Sequence, residues 1–270
     1  MLTKYESLGD AIEESVRSSC EGKDVGIAFS GGLDSGLIAA LAKKYARSVT
    51  LYTCGSDGAF DVRAGEELAG RLGLPWKHVR ICKETLEDEI RHFIRATGTD
   101  DPFTISYDLQ LFTVCKYSEE SIILSGQGAD EYFMGCAKFV ECADCDYNAY
   151  VKDGVKRLME ISVPCELSIA EHFGKTLKYP YLEDNVLHEI AKVDPADLKP
   201  VDLDSRKKVL KDIAVYLGYP YLEKRIKKAS QYGSGTTDII RAIAKSKGMM
   251  FNRYIQSVYD EVVRESPERE

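Results

Sequence analysis

The residues of this chain best suited to chemistry are Ser30-Gly31-Gly32-Leu33-Asp34-Ser35, which directly follow a β-rich run at 25–29 (VGIAF) and directly precede a helical pattern. A strand, a glycine-rich turn and a helix start in that order make an anion site: glycines let the backbone approach a phosphate, and the free amides of the new helix point at it. Ser30 and Ser35 add hydroxyl donors. Asp34 would repel phosphates on its own, so its presence makes sense with a Mg²⁺ between them. The run is neither GxxxxGK[ST] nor GxGxxG, which sets it apart from ordinary P-loop and dinucleotide-binding turns. The plain alternative is a strand-to-helix turn with a serine cap.

A second block, Leu124-Ser125-Gly126-Gln127-Gly128-Ala129-Asp130-Glu131, follows another short apolar run, with Ser125 95 residues after Ser30. The first block resembles the pyrophosphate loop of N-type ATP pyrophosphatases. Together, in this order, the two resemble the synthetase domain of the asparagine synthetase family and its β-lactam-forming relatives. Weaker likenesses at 177–184 (LKYPYLED, similar to RxPFLD) and 225–235 (RIKKASQYGSG, similar to a late lysine segment) extend it to roughly residues 20–245. The resemblance implies an ATP- and Mg²⁺-dependent, AMP-forming carbon–nitrogen ligase. Such an enzyme adenylates a small carboxylate, aspartate being one candidate, and passes the acyl group to ammonia or another amine.

Carried over residue by residue, the resemblance implies that Ser30, Gly31, Gly32 and Ser35 bind pyrophosphate and that Asp34 and Asp130 hold Mg²⁺. Gly126 would approach the AMP part, while Ala28 and Cys54 would meet adenine or ribose through their backbones. Lys228, or Lys227 in the neighbouring register, would neutralise charge developing on the phosphates. Simpler readings compete: Asp130 and Glu131 suit the first turn of any helix, and Ala28 and Cys54 suit any core. The basic stretches at 206–211 and 224–228 are as compatible with a solvated helical face as with a polyphosphate clamp.

Two departures bear on the acceptor half. Gln127 stands where the family block carries glutamate, and an amide can hydrogen-bond but cannot take a proton. Leu2 follows Met1, with the phosphate loop at residue 30, so a preceding glutaminase domain with its cysteine nucleophile is not expected here. A stand-alone synthetase with free ammonia, another amine or a separate glutaminase subunit is the expectation. The rival with the same ATP chemistry is sulfur transfer onto tRNA through Cys142 and Cys145, with Cys136 and Cys165 as further cysteines. The non-catalytic rival is an AMP/ATP-binding module, supported by Gln127. The four histidines show no metal-ligand spacing.

The elements that must position these residues can be read from periodicity. Helical patterns at 7–19, 34–46, 61–72, 84–97 and 107–117 alternate with strands at 25–29, 48–54, 75–81 and 121–124. That alternation predicts a three-layer α/β parallel sheet, Rossmann-like and, by the resemblance, adenine nucleotide alpha hydrolase-like. From about 146 helices dominate, at 147–161, 166–174, 183–193, 205–217, 236–247 and 249–264. The expected organisation is a nucleotide-binding region over 1–145 and a helical lobe over 146–270 packed against it as one domain.

With 270 residues, 44% hydrophobic and 30% charged, the chain can bury a sizeable core without disulfides or structural metal. A net charge of −8 argues against a nucleic-acid partner. With neither a signal peptide nor an apolar run of membrane-spanning length, a cytoplasmic location with reduced cysteines is expected. A homodimer is the expected assembly.

Overall fold

In a computed structural model, which describes residues 4–141, 146–225 and 230–265, the four anticipated strands form within a residue or two of their expected bounds. In chain order the elements are α1 (Glu6–Cys20), β1 (Asp24–Ala28), α2 (Leu33–Tyr45), β2 (Ser48–Gly55), α3 (Phe60–Leu72), β3 (Trp76–Arg80), α4 (Lys83–Thr97), α5 (Pro102–Tyr117) and β4 (Ile122–Leu124). There follow α6 (Ala129–Tyr132), α7 (Lys138–Glu141), α8 (Tyr147–Arg157), α9 (Val163–His172) and β5 (Thr176–Lys178). The remainder is helical: α10 (Asp184–Ile190), α11 (Pro195–Leu198), α12 (Lys208–Tyr216), α13 (Ser230–Gly233), α14 (Thr236–Ser246) and α15 (Phe251–Glu265). Among the described residues, no helix is long and apolar enough to cross a membrane.

The strands form one parallel sheet in the order β3-β2-β1-β4-β5, with Val25 paired to Val49 on one side and Ile122 on the other. The chain moves outward from β1 through β2 and β3, then returns to the other side of β1 as β4. The connections leaving β1 and β4 therefore diverge from adjacent strand ends, the place where open parallel sheets bind ligands. Those connections are the two blocks read from the sequence.

Strand pleat sends alternate residues into two apolar cores. Val49 and Leu51 of β2 and Leu124 of β4 join a core with Ile12, Leu37, Leu41 and Ile213. Tyr52 and Cys54 of β2 and Ile123 of β4 join a second with Phe93, Phe112, Ile169 and Tyr254. Helices from beyond residue 146 thus contribute to both cores, α12 to the first and α9 and α15 to the second.

Three local features differ from the periodicity reading. Helix α5 starts at Pro102, five residues early, because Asp101 caps it by accepting from the amides of Phe103 (3.3 Å) and Thr104 (3.1 Å). Helices α8 and α9 are joined through a π-helical turn, Leu158–Ser162, rather than a break. Pro164, just beyond it, has no N–H to continue a regular ladder. Strand β5 is an addition, and at three residues it is too short for alternation to show.

β5 matters to the site because it delivers a bracing turn. Its continuation, the 3₁₀ turn Pro180–Leu182, places Tyr181 beneath α2, fully buried, where its hydroxyl donates to the Asp34 carbonyl at 3.0 Å. Ser15 of α1 donates to the Pro180 carbonyl at 2.8 Å and holds the turn in place. A hydrogen bond of this kind contributes about 1 kcal/mol. Tyr181→Phe should therefore lower the unfolding free energy by about that amount in a urea titration; an unchanged midpoint would show that the turn does not brace the loop.

Candidate active site

The first block is held in shape by its own residues and by one distant arginine. Gly31 has φ +71°, and a Cβ there would sit 2.4 Å from the backbone of Ala64 and Gly65 in α3, so only glycine lets the loop lie against that helix. The Ser30 amide donates to Ser35 Oγ (3.2 Å) and the Gly32 amide to Ser30 Oγ (3.4 Å). Gly32 occupies the N-cap of α2 without a side-chain cap, which leaves the first-turn amides facing outward. Arg225 locks the loop from behind: its Nε donates to the Gly31 carbonyl at 3.0 Å and its Nη2 to the Ala64 carbonyl at 2.8 Å. The result is a preformed anion cradle at a helix start.

The second block packs against the first. A Cβ on Gly126 would lie 3.2 Å from Asp34 Cβ and 3.3 Å from the Ser35 amide, so the two loops touch at a residue with no side chain. Beyond it Asp130, in the short α6, turns back toward Asp34. The Lys207 ammonium lies between them, 2.5 Å from the Asp34 carboxylate and 2.7 Å from Asp130 Oδ1. Two carboxylates from two different loops thus converge on one cationic point. Oxygen donors arranged about a single positive centre also suit a hard divalent cation, for which two carboxylates are a usual protein contribution. No set of three or more His, Cys, Asp or Glu converges on a metal position among the described residues.

Lys207 is the cation between the two loops that sequence reasoning did not single out from its basic stretch. Its side chain is 6% exposed, whereas neighbouring Lys208 faces solvent. Its φ of +57° is one of two positive values among the described non-glycine residues. Gly135 makes room for it: a Cβ there would fall 2.1 Å from Lys207 Cε and 2.0 Å from Asp130 Oδ1. Lys207 precedes α12 in a left-handed conformation, so the apolar periodicity of that helix does not direct its side chain, and no local signal in the sequence marks it.

One cavity collects most of the expected residues. Ala28, Ser30, Asp34, Ser35, Cys54, Gly126, Gln127 and Asp130 all line it, while Gly31 and Gly32 shape the loop at its edge. Cys54 accepts from Thr113 Oγ1 at 2.8 Å, and burial pushes its thiol up to about 12, so it is a packing residue with no thiolate character. Lys227, Lys228, Cys142 and Cys145 lie outside the described residues. Cys165 lies against Asp108, and burial, followed by that acid, pushes its thiol upward. His92 and His172 approach to 3.0 Å through their Nε2 atoms, but neither lines the cavity.

The cavity also has an acidic wall that the sequence reading missed. Gln127 Oε1 accepts from the Tyr107 hydroxyl at 3.2 Å, and Gln127 Nε2 donates to Glu166 Oε1 at 2.8 Å. A carboxyl group of α9 therefore lies next to residue 127. Asp108 of α5, 2% exposed, and Glu166, 3% exposed, both line the cavity. Burial raises the Asp108 carboxyl from 3.8 to about 7, against smaller downward pulls from Cys165 and Arg157. Burial, then the neighbouring Asp108, raises Glu166 as well. The faint signal in the sequence was a carboxylate in the middle of otherwise apolar helical runs, SYDLQLF and PCELSIA.

A carboxyl whose folded value exceeds its unfolded one favours the fold while protonated in it. That contribution is complete below pH 3.8 and declines as pH rises toward 7. In chemical denaturation at pH 4.5 and pH 8, Asp108→Asn should gain a few kcal/mol relative to the parent between the two values. Parallel pH curves for the two proteins would contradict the buried protonated state.

The comparisons with known proteins fit this geometry. A protein of Methanocaldococcus jannaschii named "Putative asparagine synthetase (glutamine-hydrolyzing) 1" is 28% identical, covering 96% of this chain and 56% of its own length. Asparagine synthetase B (glutamine-hydrolyzing) of Escherichia coli is 26% identical over 73% of this chain and 39% of its own length. The chain thus spans about half, or less, of the curated relatives it matches. Among solved structures, the NMN synthetase of Francisella tularensis is similar with a TM-score of 0.45 and 15% identity, covering 99% of this chain and 90% of that one. The family model "Asparagine synthase" matches residues 7–162, more than half of the chain and including both loops, and the chain belongs to that family.

Proposed function

We propose that this chain is an ATP-dependent, AMP-forming ligase that adenylates a carboxylate, releases pyrophosphate, and transfers the acyl group to ammonia or another amine. The observation that carries the reading is the meeting of Asp34 and Asp130 beside the phosphate cradle, at the mouth of a single cavity reached by both loops. In this reading Ser30, Gly31, Gly32 and Ser35 receive the β- and γ-phosphates, and Asp34 and Asp130 hold Mg²⁺. Held there, the ion would supply positive charge against the negative charge of the phosphates.

The chain's own residues account for the remaining needs. Lys207 brings a buried positive charge to the same point, where charge builds on the departing pyrophosphate. Gly126, pressed against Asp34 and Ser35, lets the α-phosphate approach the backbone. Ala28 and Cys54, at the ends of β1 and β2, form the floor under the nucleoside. Lys228 is proposed as a further phosphate-facing cation from the family likeness alone. Gln127 positions Glu166 through its amide and so places a carboxyl group on the acceptor side. The nitrogen comes from free ammonia or a separate glutaminase subunit.

The test is pyrophosphate release from Mg-ATP with a panel of small carboxylates, including aspartate, and ammonium. Asp34→Asn and Asp130→Asn should each lower turnover about 100-fold or more, the scale of losing a few kcal/mol of charge stabilisation. Near-normal rates in both variants, or no pyrophosphate with any carboxylate from a protein that binds ATP, would overturn the proposal.

A further inference from the structure

The four histidines are scattered along the sequence, yet two of them meet in the fold. His92 of α4 and His172 of α9, 80 residues apart, bring their Nε2 atoms to 3.0 Å. Their ring centroids lie 5.1 Å apart with the planes at 75°, so the rings meet through their nitrogen-bearing edges and do not stack. Aromatic neighbours hold both rings in place. Phe112 of α5 packs edge-on against His92 at 5.0 Å, and Phe173 packs against His92 at 5.6 Å and against His172 at 4.8 Å. His92 is half-buried and His172 exposed, so the pair is fixed by packing yet reached by solvent.

The spacing of the two nitrogens has a chemical meaning. Imidazole nitrogens bound to one ion at about 2.0–2.1 Å stand about 2.9 Å apart in a square-planar site and about 3.3 Å apart in a tetrahedral one. The observed separation falls between these values. Without an ion, one Nε2–H donates to the other ring. To ligate, the donating ring moves its proton to Nδ1, both Nε2 lone pairs then face the ion, and no net proton is released. The charge nearby is balanced. The cations facing His92 are Lys116 and Arg95, and each is paired, Lys116 with Glu89 at 2.7 Å and Arg95 with Glu265 at 2.9 Å. Burial, followed by Lys116 and His172, lowers His92 below its ordinary value and keeps its ring in the neutral form that ligates metals.

We propose that His92 and His172 form a binding site for a nitrogen-preferring divalent transition ion of the Zn²⁺, Ni²⁺ and Cu²⁺ class, which clips α4 to α9. Imidazole suits these ions, whereas Mg²⁺ prefers oxygen ligands. No third His, Cys, Asp or Glu joins the pair among the described residues, so water completes the coordination. The site lies outside the nucleotide cavity and stands apart from the ligase reading. It fastens the end of the helix that carries Glu166 into the cavity wall.

The test is imidazole ¹H–¹⁵N NMR of the whole protein at about pH 7.5, where unperturbed histidines are neutral, titrated with Zn²⁺ in the presence of excess Mg²⁺. With four histidines in the chain, each ring can be followed separately. His92 and His172 should shift together at one midpoint, while His78 and His188 stay in place and Mg²⁺ alone moves none of the four. His172→Gln, at an exposed position, should raise the Zn²⁺ midpoint of His92 about tenfold or more, at least the loss that follows from removing a ligand's hydrogen-bonded support. His188→Gln, at another exposed position, should leave the response of His92 and His172 as it is in the parent. His92 and His172 left unmoved, shifts at two separate midpoints, equal shifts in all four histidines, or a His172→Gln midpoint equal to the parent's would each overturn the inference.

Discussion

Two carboxylates from separate loops, one buried and one half-buried, cannot sit within a few ångströms of each other without a positive charge between them. Asp34 and Asp130 meet on the Lys207 ammonium, and much of the surrounding structure exists to make that meeting hold. Breaking such a group by removing its cation leaves uncompensated buried charge, which costs far more than an exposed pair contributes. The positive φ of Lys207 and the missing side chain at Gly135 both serve to bring one lysine to that point. A compensated pair of this kind is also the arrangement a polyphosphate enzyme needs. A site that gathers negative groups in order to hold a cation must tolerate them when the cation is elsewhere.

The parallel sheet makes the meeting geometrically simple. Because β1 and β4 are neighbours and their connections part in opposite directions, the two loops leave a crevice with both aspartates at its edge. Later parts of the chain then fix the loops from behind. Tyr181, delivered by the short β5, bonds to the Asp34 carbonyl. Arg225 bonds to the Gly31 carbonyl and to α3. The chain beyond residue 146 adds helices to both apolar cores, places Glu166 in the cavity wall and brings Lys207 to Asp34 and Asp130. The two loops are encoded early in the sequence, but the residues that brace them are encoded late.

That division explains what could be read in advance. The phosphate loop was legible because strand, glycine turn and helix start are local signals, each recognisable within a dozen residues. The pairing of Asp34 with Asp130 was legible through family likeness, not through spacing. Lys207, Asp108 and Glu166 were not singled out, because their roles depend on which helix face meets the sheet. Lys207 sat in a charged run that suits solvent equally well, and its left-handed backbone before α12 takes it out of that helix's register. The departure at Gln127 read as a loss of acidic chemistry. In three dimensions the carboxyl group of Glu166 lies 2.8 Å from the Gln127 amide, 39 residues later in the chain.

The site is organised by the cation between Asp34 and Asp130, and urea unfolding of Lys207→Met with and without millimolar Mg²⁺ tests this most directly. Without the metal, the variant should lose about 3–5 kcal/mol of stability, as expected for a buried charge group stripped of its partner. With Mg²⁺ it should regain a large share of that loss, more than the parent gains under the same conditions, because the ion takes the vacated place. A variant as stable as the parent without Mg²⁺, or a loss that Mg²⁺ leaves untouched, would contradict the claim that one cation position organises this site.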